Sequence, residues 1–157
     1  MDLGTLIIVI ICIIIFVVPF VIFNRKNKSA SNSLVKKLKE YATSQQYTLE
    51  EYENEDELVL GIDHKNRIAF FLNNRIEADK QPKHINLDSF SLCRVNQLTQ
   101  GSGDESVIKK ISLDFIPKSK KEDILSFVLY EESDERRLNN EVQLSRTWVD
   151  IVNRRIR

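Results

Sequence analysis

From Leu3 to Phe23 the chain reads LGTLIIVIICIIIFVVPFVIF, a run without one charged side chain. At about 1.5 Å of rise per residue, a helix of this length extends roughly 30 Å, the thickness of the hydrocarbon layer of a bilayer. A helix packed on a soluble core keeps one side wet and polar, and this stretch has no such side. The expectation is a transmembrane anchor over residues 1–24, with Leu3 to Phe23 in contact with the lipid bilayer. Everything else must then fold as a unit hung from it.

The flanks give the anchor a direction. Met1 and Asp2 precede the apolar run, which is too long for a cleaved secretory signal and is followed by no small-residue cleavage site. Ile10 and Ile11 before Cys12 do not suit lipoprotein processing. Arg25, Lys26 and Lys28 follow the span, whereas only Asp2 lies on the other side, so the positive-inside rule places the N-terminus outside and the C-terminal domain in the cytoplasm. The expected product is a single-pass protein of the cell membrane. With no ionisable side chain in the span and no GxxxG face, transport and proton relay find no support.

Because Asp2 is the only charged residue before Arg25, the remainder holds 23 basic and 22 acidic side chains. A nearly neutral domain gives no argument for a nucleic-acid partner. The two cysteines, Cys12 in the span and Cys93 in an apolar run, are placed too differently to pair.

Residues 25–33, rich in Asn and Ser, read as a linker. The domain is expected over 34–157, opening with an amphipathic helix over 34–46 in which Leu34, Leu38, Tyr41 and Ala42 share a face. Its Lys36, Lys37 and Lys39, together with Arg25, Lys26 and Lys28, place six basic residues beside the membrane, where they could contact anionic lipid headgroups. Beyond them the apolar period shortens to two. Strands are expected at Tyr47 to Tyr52, in the run where Leu58, Leu60 and Ile62 alternate with Glu57, Val59, Gly61 and Asp63, and in the next, where Ile68, Phe70 and Leu72 alternate beyond the polar connector Asp63-His64-Lys65-Asn66. Others are expected at Pro82 to Asn86, at Phe90 to Gln97 with Phe90 and Leu92 on one face, at Ser106 to Ile116, and at Ile124 to Tyr130. Turns are expected at Glu53 to Glu57 and Thr99 to Glu105. A terminal helix is expected from about Asp134 to Arg155, acidic at its start and basic at its end as the helix dipole favours.

About seven antiparallel strands closed by a C-terminal helix bearing Trp148 resemble the pleckstrin-homology-like fold, an α+β barrel or sandwich. The runs LGIDHKNRIAFFL, INLDSFSLCRV and IKKISLDF and the segment Arg146-Thr147-Trp148 resemble a group of bacterial single-pass membrane proteins of uncharacterised function that carry such a domain. The resemblance supplies no catalytic residues. In many relatives of the fold a basic strand-loop-strand pair binds phosphoinositide headgroups, and Lys65 and Arg67 are the counterpart here.

No spacing of His, Cys or carboxylate suggests a metal site, Gly101-Ser102-Gly103 lacks the context of a phosphate cradle, and no cofactor motif or catalytic residue is identifiable. The expected function is a non-catalytic binding or scaffolding module on the cytoplasmic face, recognising a protein partner, itself, or lipid headgroups. The alternative is a membrane-bound enzyme whose site gathers His64, His84 and the acidic run.

Overall fold

The computed structural model describes residues 32–76, 79–101, 106–132, 138 and 140–156. The expected anchor and linker up to Ser31 lie outside these residues, and among the described ones no helix is long and apolar enough to cross a membrane.

The first helix, α1 (32–44), forms where Leu34, Val35, Leu38, Tyr41 and Ala42 recur at helical spacing. It stops where Gln46 takes a φ of 64° and the Tyr47 N–H bonds back to the Ala42 carbonyl at 2.9 Å. Strands β1 (Glu51–Glu55), β2 (Leu58–Asp63), β3 (Ile68–Asn73) and β4 (Lys83–Asn86) pair in sequence order as a four-stranded antiparallel sheet. A single 3-10 turn, Leu87–Ser89, leads to β5 (Phe90–Gln100), β6 (Val107–Pro117) and β7 (Leu125–Glu131), which form a three-stranded antiparallel sheet. Helix α2 (Glu141–Asn153) completes an α+β fold. The strands make two separate sheets and not one closed barrel.

Two apolar layers hold these elements together. Between the sheets, Leu58, Leu60, Ile62 and Phe71 meet Ile111, Leu113, Phe115 and Phe127, and α2 adds Leu144, Trp148 and Val152. Phe71 and Phe127 stack with ring centroids 3.7 Å apart, and Phe115 stands edge-on to both. On the other face of the first sheet, Val59, Ile68, Phe70 and Leu72 are covered by Val35, Leu38 and Ala42 of α1. Strands β2 and β3 are consequently buried along both faces, as strands sandwiched between two layers must be.

Three elements differ from the sequence expectation. The first strand is displaced into the acidic run, with Glu51 opposite Ile62 and Glu55 opposite Leu58, so that only Asp56 and Glu57 remain as a turn. An edge strand is held by its backbone ladder and tolerates charged side chains, which is why composition misplaced it. In β5 a register shift between Phe90 and Leu92 turns Phe90 into the core and leaves Leu92 46% exposed, where strict alternation would put both on one face. The same strand runs on to Gln100, into the expected loop, while residues 102–105 lie outside the described set. At the C-terminus the helix begins at Glu141, with 133–137 and 139 outside the described residues, and Leu144 and Trp148 take the centre of its buried stripe. Strand β7 opens at its exposed end, with Ile124 before it 48% and Leu125 38% exposed, and burial begins at Phe127.

Side-chain amides finish two strand edges. Asn153, the last residue of α2, accepts from the Cys93 N–H and donates to the Cys93 carbonyl, both at 2.8 Å. Asn73 donates to the Val128 carbonyl of β7 at 2.8 Å.

Candidate functional site

The β2–β3 hairpin is built on Asp63. Its carboxylate accepts from the Thr48 N–H at 2.9 Å and from the Asn66 N–H and side-chain amide, each at 2.8 Å. This is the local bonding that makes Asp and Asn turn residues. Burial by itself would raise the Asp63 pKa, but these bonds and one from the Lys65 N–H outweigh it and hold the group below the usual carboxylate range. The turn from His64 to Arg67 is thereby fixed from beneath.

Each residue of that turn has a definite setting. The His64 N–H donates to Glu50 Oε2 at 2.8 Å and its Nε2 lies 2.7 Å from Glu51 Oε2, while Nδ1 is buried and has no hydrogen-bond partner among the described residues. Lys65 is exposed. Arg67 sits at φ 55°, a region that a β-carbon disfavours. Its Nη2 lies 2.7 and 2.8 Å from the two carboxylate oxygens of Asp88, on the 3-10 turn.

Arg154 and Arg155 arrive at the same place from the end of α2, where two further bonds continue the helical turn, Arg154 N–H to Asp150 O at 3.2 Å and Arg155 N–H to Val152 O at 2.9 Å. Their charge complements the negative end of the helix dipole. Both are exposed, and neither makes an ion pair with another described residue. His64, Lys65, Arg67, Arg154 and Arg155 together line a cleft of about 280 Å³.

Of the residues singled out from sequence, Lys65 and Arg67 fall in this cleft. Arg25, Lys26 and Lys28 lie outside the described residues. Lys36 is exposed with Glu40 at 3.8 Å, Lys37 donates to the Lys80 carbonyl at 2.9 Å, and the Lys39 ammonium stands 4.7 Å above the Tyr52 ring. None of these α1 lysines lines the cleft.

His84 is on β4 and packs against α1, with Nδ1 2.8 Å from the Tyr41 hydroxyl and the Tyr47 and Phe70 rings nearby. It does not join His64, which meets only the Glu50 and Glu51 end of the acidic run. At the other end of β1, burial and then the neighbouring Asp56 and Glu141 carboxylates hold Glu55 above the usual carboxylate range. Among the described residues no group of three His, Cys, Asp or Glu side chains is arranged to hold a metal ion.

Cys93 is buried on β5, and desolvation, with the Asp114 carboxylate adding to it, pushes its thiol up to about 12. A thiol so rarely ionised is a poor nucleophile. In a Cys12→Ser chain, Cys93 is therefore expected to react with iodoacetamide at pH 8 no faster than the protein unfolds. Complete labelling within minutes under native conditions would contradict this.

The signal missed in the sequence was Arg154-Arg155. The pair looked like an ordinary basic helix end, and nothing local joins it to Lys65. No family model, no curated protein and no solved structure matches the chain.

Proposed function

We propose that the chain is a membrane-tethered, non-catalytic binding module: Leu3 to Phe23 anchor it, the N-terminus faces out, and the domain works in the cytoplasm beside the inner leaflet. Its strand order, a four-stranded meander followed by a three-stranded one and a closing helix, supports the pleckstrin-homology-like reading. That reading also fits the resemblance to bacterial single-pass proteins.

The observation that carries a binding role is the convergence of Lys65, Arg67, Arg154 and Arg155 on one cleft, in a chain whose 23 basic and 23 acidic residues balance. Charges gathered around a concave, low-dielectric surface focus the field and draw in counter-charged groups. The partner of such a surface is acidic, whether protein or headgroup.

Paired C-terminal fusions test the tether and its direction. A fluorescent protein fused after Arg157 is expected to mature and remain with the membrane fraction, and an alkaline phosphatase at the same point to be inactive. An active phosphatase would reverse the topology, and a reporter found in the soluble fraction would remove the anchor.

A further inference from the structure

We infer that the outer face of the three-stranded sheet is the surface through which two copies of this chain associate. This lies beyond the basic cleft and does not depend on what fills it. Strand pairing fixes which side chains share that face. Cys93, Val95, Leu113, Phe115 and Phe127 belong to the core between the sheets or pack against it. Side chains alternate along a strand, so Leu92, Arg94, Asn96, Ser112, Asp114 and Ser126 lie on the opposite side.

The four-stranded sheet is covered by α1 on one side and by the second sheet on the other, whereas no described element covers the outer face of β5, β6 and β7. That face carries four of the six large apolar side chains that are exposed among the described residues. Leu92 and Ile124 flank the half-buried Ile116 at one end, and Leu98 and Val107, 61% and 49% exposed, stand at the other. Apolar groups gathered on one uncovered face mark an interaction surface, where singly scattered ones would not.

The charges between those ends select the occupant. Asp114 is 3% exposed, and its carboxylate accepts from the Ser112 and Ser126 hydroxyls at 3.1 and 2.6 Å and from the Asn96 amide at 3.0 Å. All three donors are neutral. Arg94, directly opposite on β5, is exposed, and neither it nor Asp114 makes an ion pair among the described residues. One face thus holds a carboxylate without a cation and a guanidinium without a carboxylate, and the same face of a second copy supplies both. Such self-complementarity is what a two-fold interface requires. A two-fold axis along β6 lays β5 of each copy over β7 of the other, so that Leu92 meets Ile124 of the partner subunit and Arg94 comes over Asp114 of the partner subunit. The contact is face to face and not edge to edge, because Asn153 occupies the β5 edge at Cys93. Stacked sheets lie about 10 Å apart, a gap that an arginine side chain spans. Asp114 has already left water, so covering it strips little further solvation, and in a dry interface the added guanidinium attracts it more strongly than in water.

The test measures the mass of the full chain in neutral detergent by multi-angle light scattering, with sedimentation velocity on dilution giving the dissociation constant. The protein component is expected at about twice 18.3 kDa. Arg94→Glu sets four carboxylates at the centre of the contact and is expected to weaken the dimer at least about tenfold, since like charges placed together in an interface cost several kcal/mol. Leu92→Asp is expected to weaken it comparably, and Lys36→Glu on α1, on the far side of the domain, to leave it unchanged. All three positions are exposed, so the circular dichroism spectrum should stay that of the parent. A monomeric parent would overturn self-association and leave the face to a different protein. A dimer that either Arg94→Glu or Leu92→Asp leaves at parental affinity would place the contact elsewhere, the anchor included, and equal weakening by Lys36→Glu would reduce the effect to net charge; both overturn the proposal. The mass in micelles depends neither on topology nor on the basic cleft, so its failure would leave the fusion results standing, and the reverse also holds.

Discussion

Trp148→Ala is expected to destabilise the domain by about 3–5 kcal/mol, the range for deleting a large aromatic from a filled core. The indole is 1% exposed, packs in the layer between the sheets, and donates from Nε1 to Glu53 Oε2 of β1 at 2.9 Å. One side chain thus joins α2 to the core and to the edge of the four-stranded sheet. Its removal opens a cavity and strips Glu53 of a donor at the same time. Against a total stability of about 5–15 kcal/mol, that loss brings the fold near its threshold. Urea unfolding of the full chain in detergent, followed by circular dichroism, measures it. Trp148→Phe should lose distinctly less, because most of the volume stays and only the donor goes. If Trp148→Ala unfolded at the same urea concentration as the parent, α2 would not be an integral part of the core.

The second large effect is expected at Arg75 and Glu141. The Glu141 side chain is 1% exposed and the Arg75 side chain 12%, and the Nη1–Oε1 distance is 2.6 Å, with Arg75 Nη2 also 3.0 Å from Asp56. Removing one partner of a buried ion pair leaves the other charged and poorly solvated, a cost of about 3–5 kcal/mol. Arg75→Met should approach that figure, since Glu141 loses the guanidinium at the start of α2. Glu141→Leu should cost less, because Arg75 keeps Asp56. The double substitution is expected to recover much of the loss, as apolar replacements of buried pairs commonly do. A double-mutant cycle in urea checks this, and additive single losses would show that the two residues are not coupled.

The parts of the fold that could be read in the sequence share one physical cause. Burial against the core sets each pattern: Leu58 to Ile62 and Ile68 to Leu72 are nearly continuous apolar runs because their strands are covered on both faces, and Ile111, Leu113 and Phe115 alternate because one face of their strand meets the core between the sheets. The strand that composition misplaced, Glu51–Glu55, has its positions set by pairing with β2 and not by burial. The shift at Phe90 and the buried Glu141 were hidden for related reasons: a bulge breaks the period that reveals a strand, and a charged residue becomes a core residue only when Arg75 reaches it from another element. The candidate site divides in the same way. Lys65 and Arg67 are neighbours in sequence and could be seen as a pair, whereas Arg154 and Arg155 reach them only through the path of α2 across the second sheet.

Asn153 has a consequence for how the chain must be made. A carboxamide offers the same donor and acceptor as a peptide unit, so at Cys93 it stands in for the next strand of the sheet, and open strand edges are where copies of a chain pair wrongly with one another. This shield comes from the last helix. A nascent chain that has completed its strands but not yet folded Glu141–Asn153 still presents the β5 edge at Cys93, and this is the interval in which newly made copies are most exposed to misassembly. The closing helix therefore protects against self-pairing as well as filling the core, and it does so only once synthesis has reached the end of the fold.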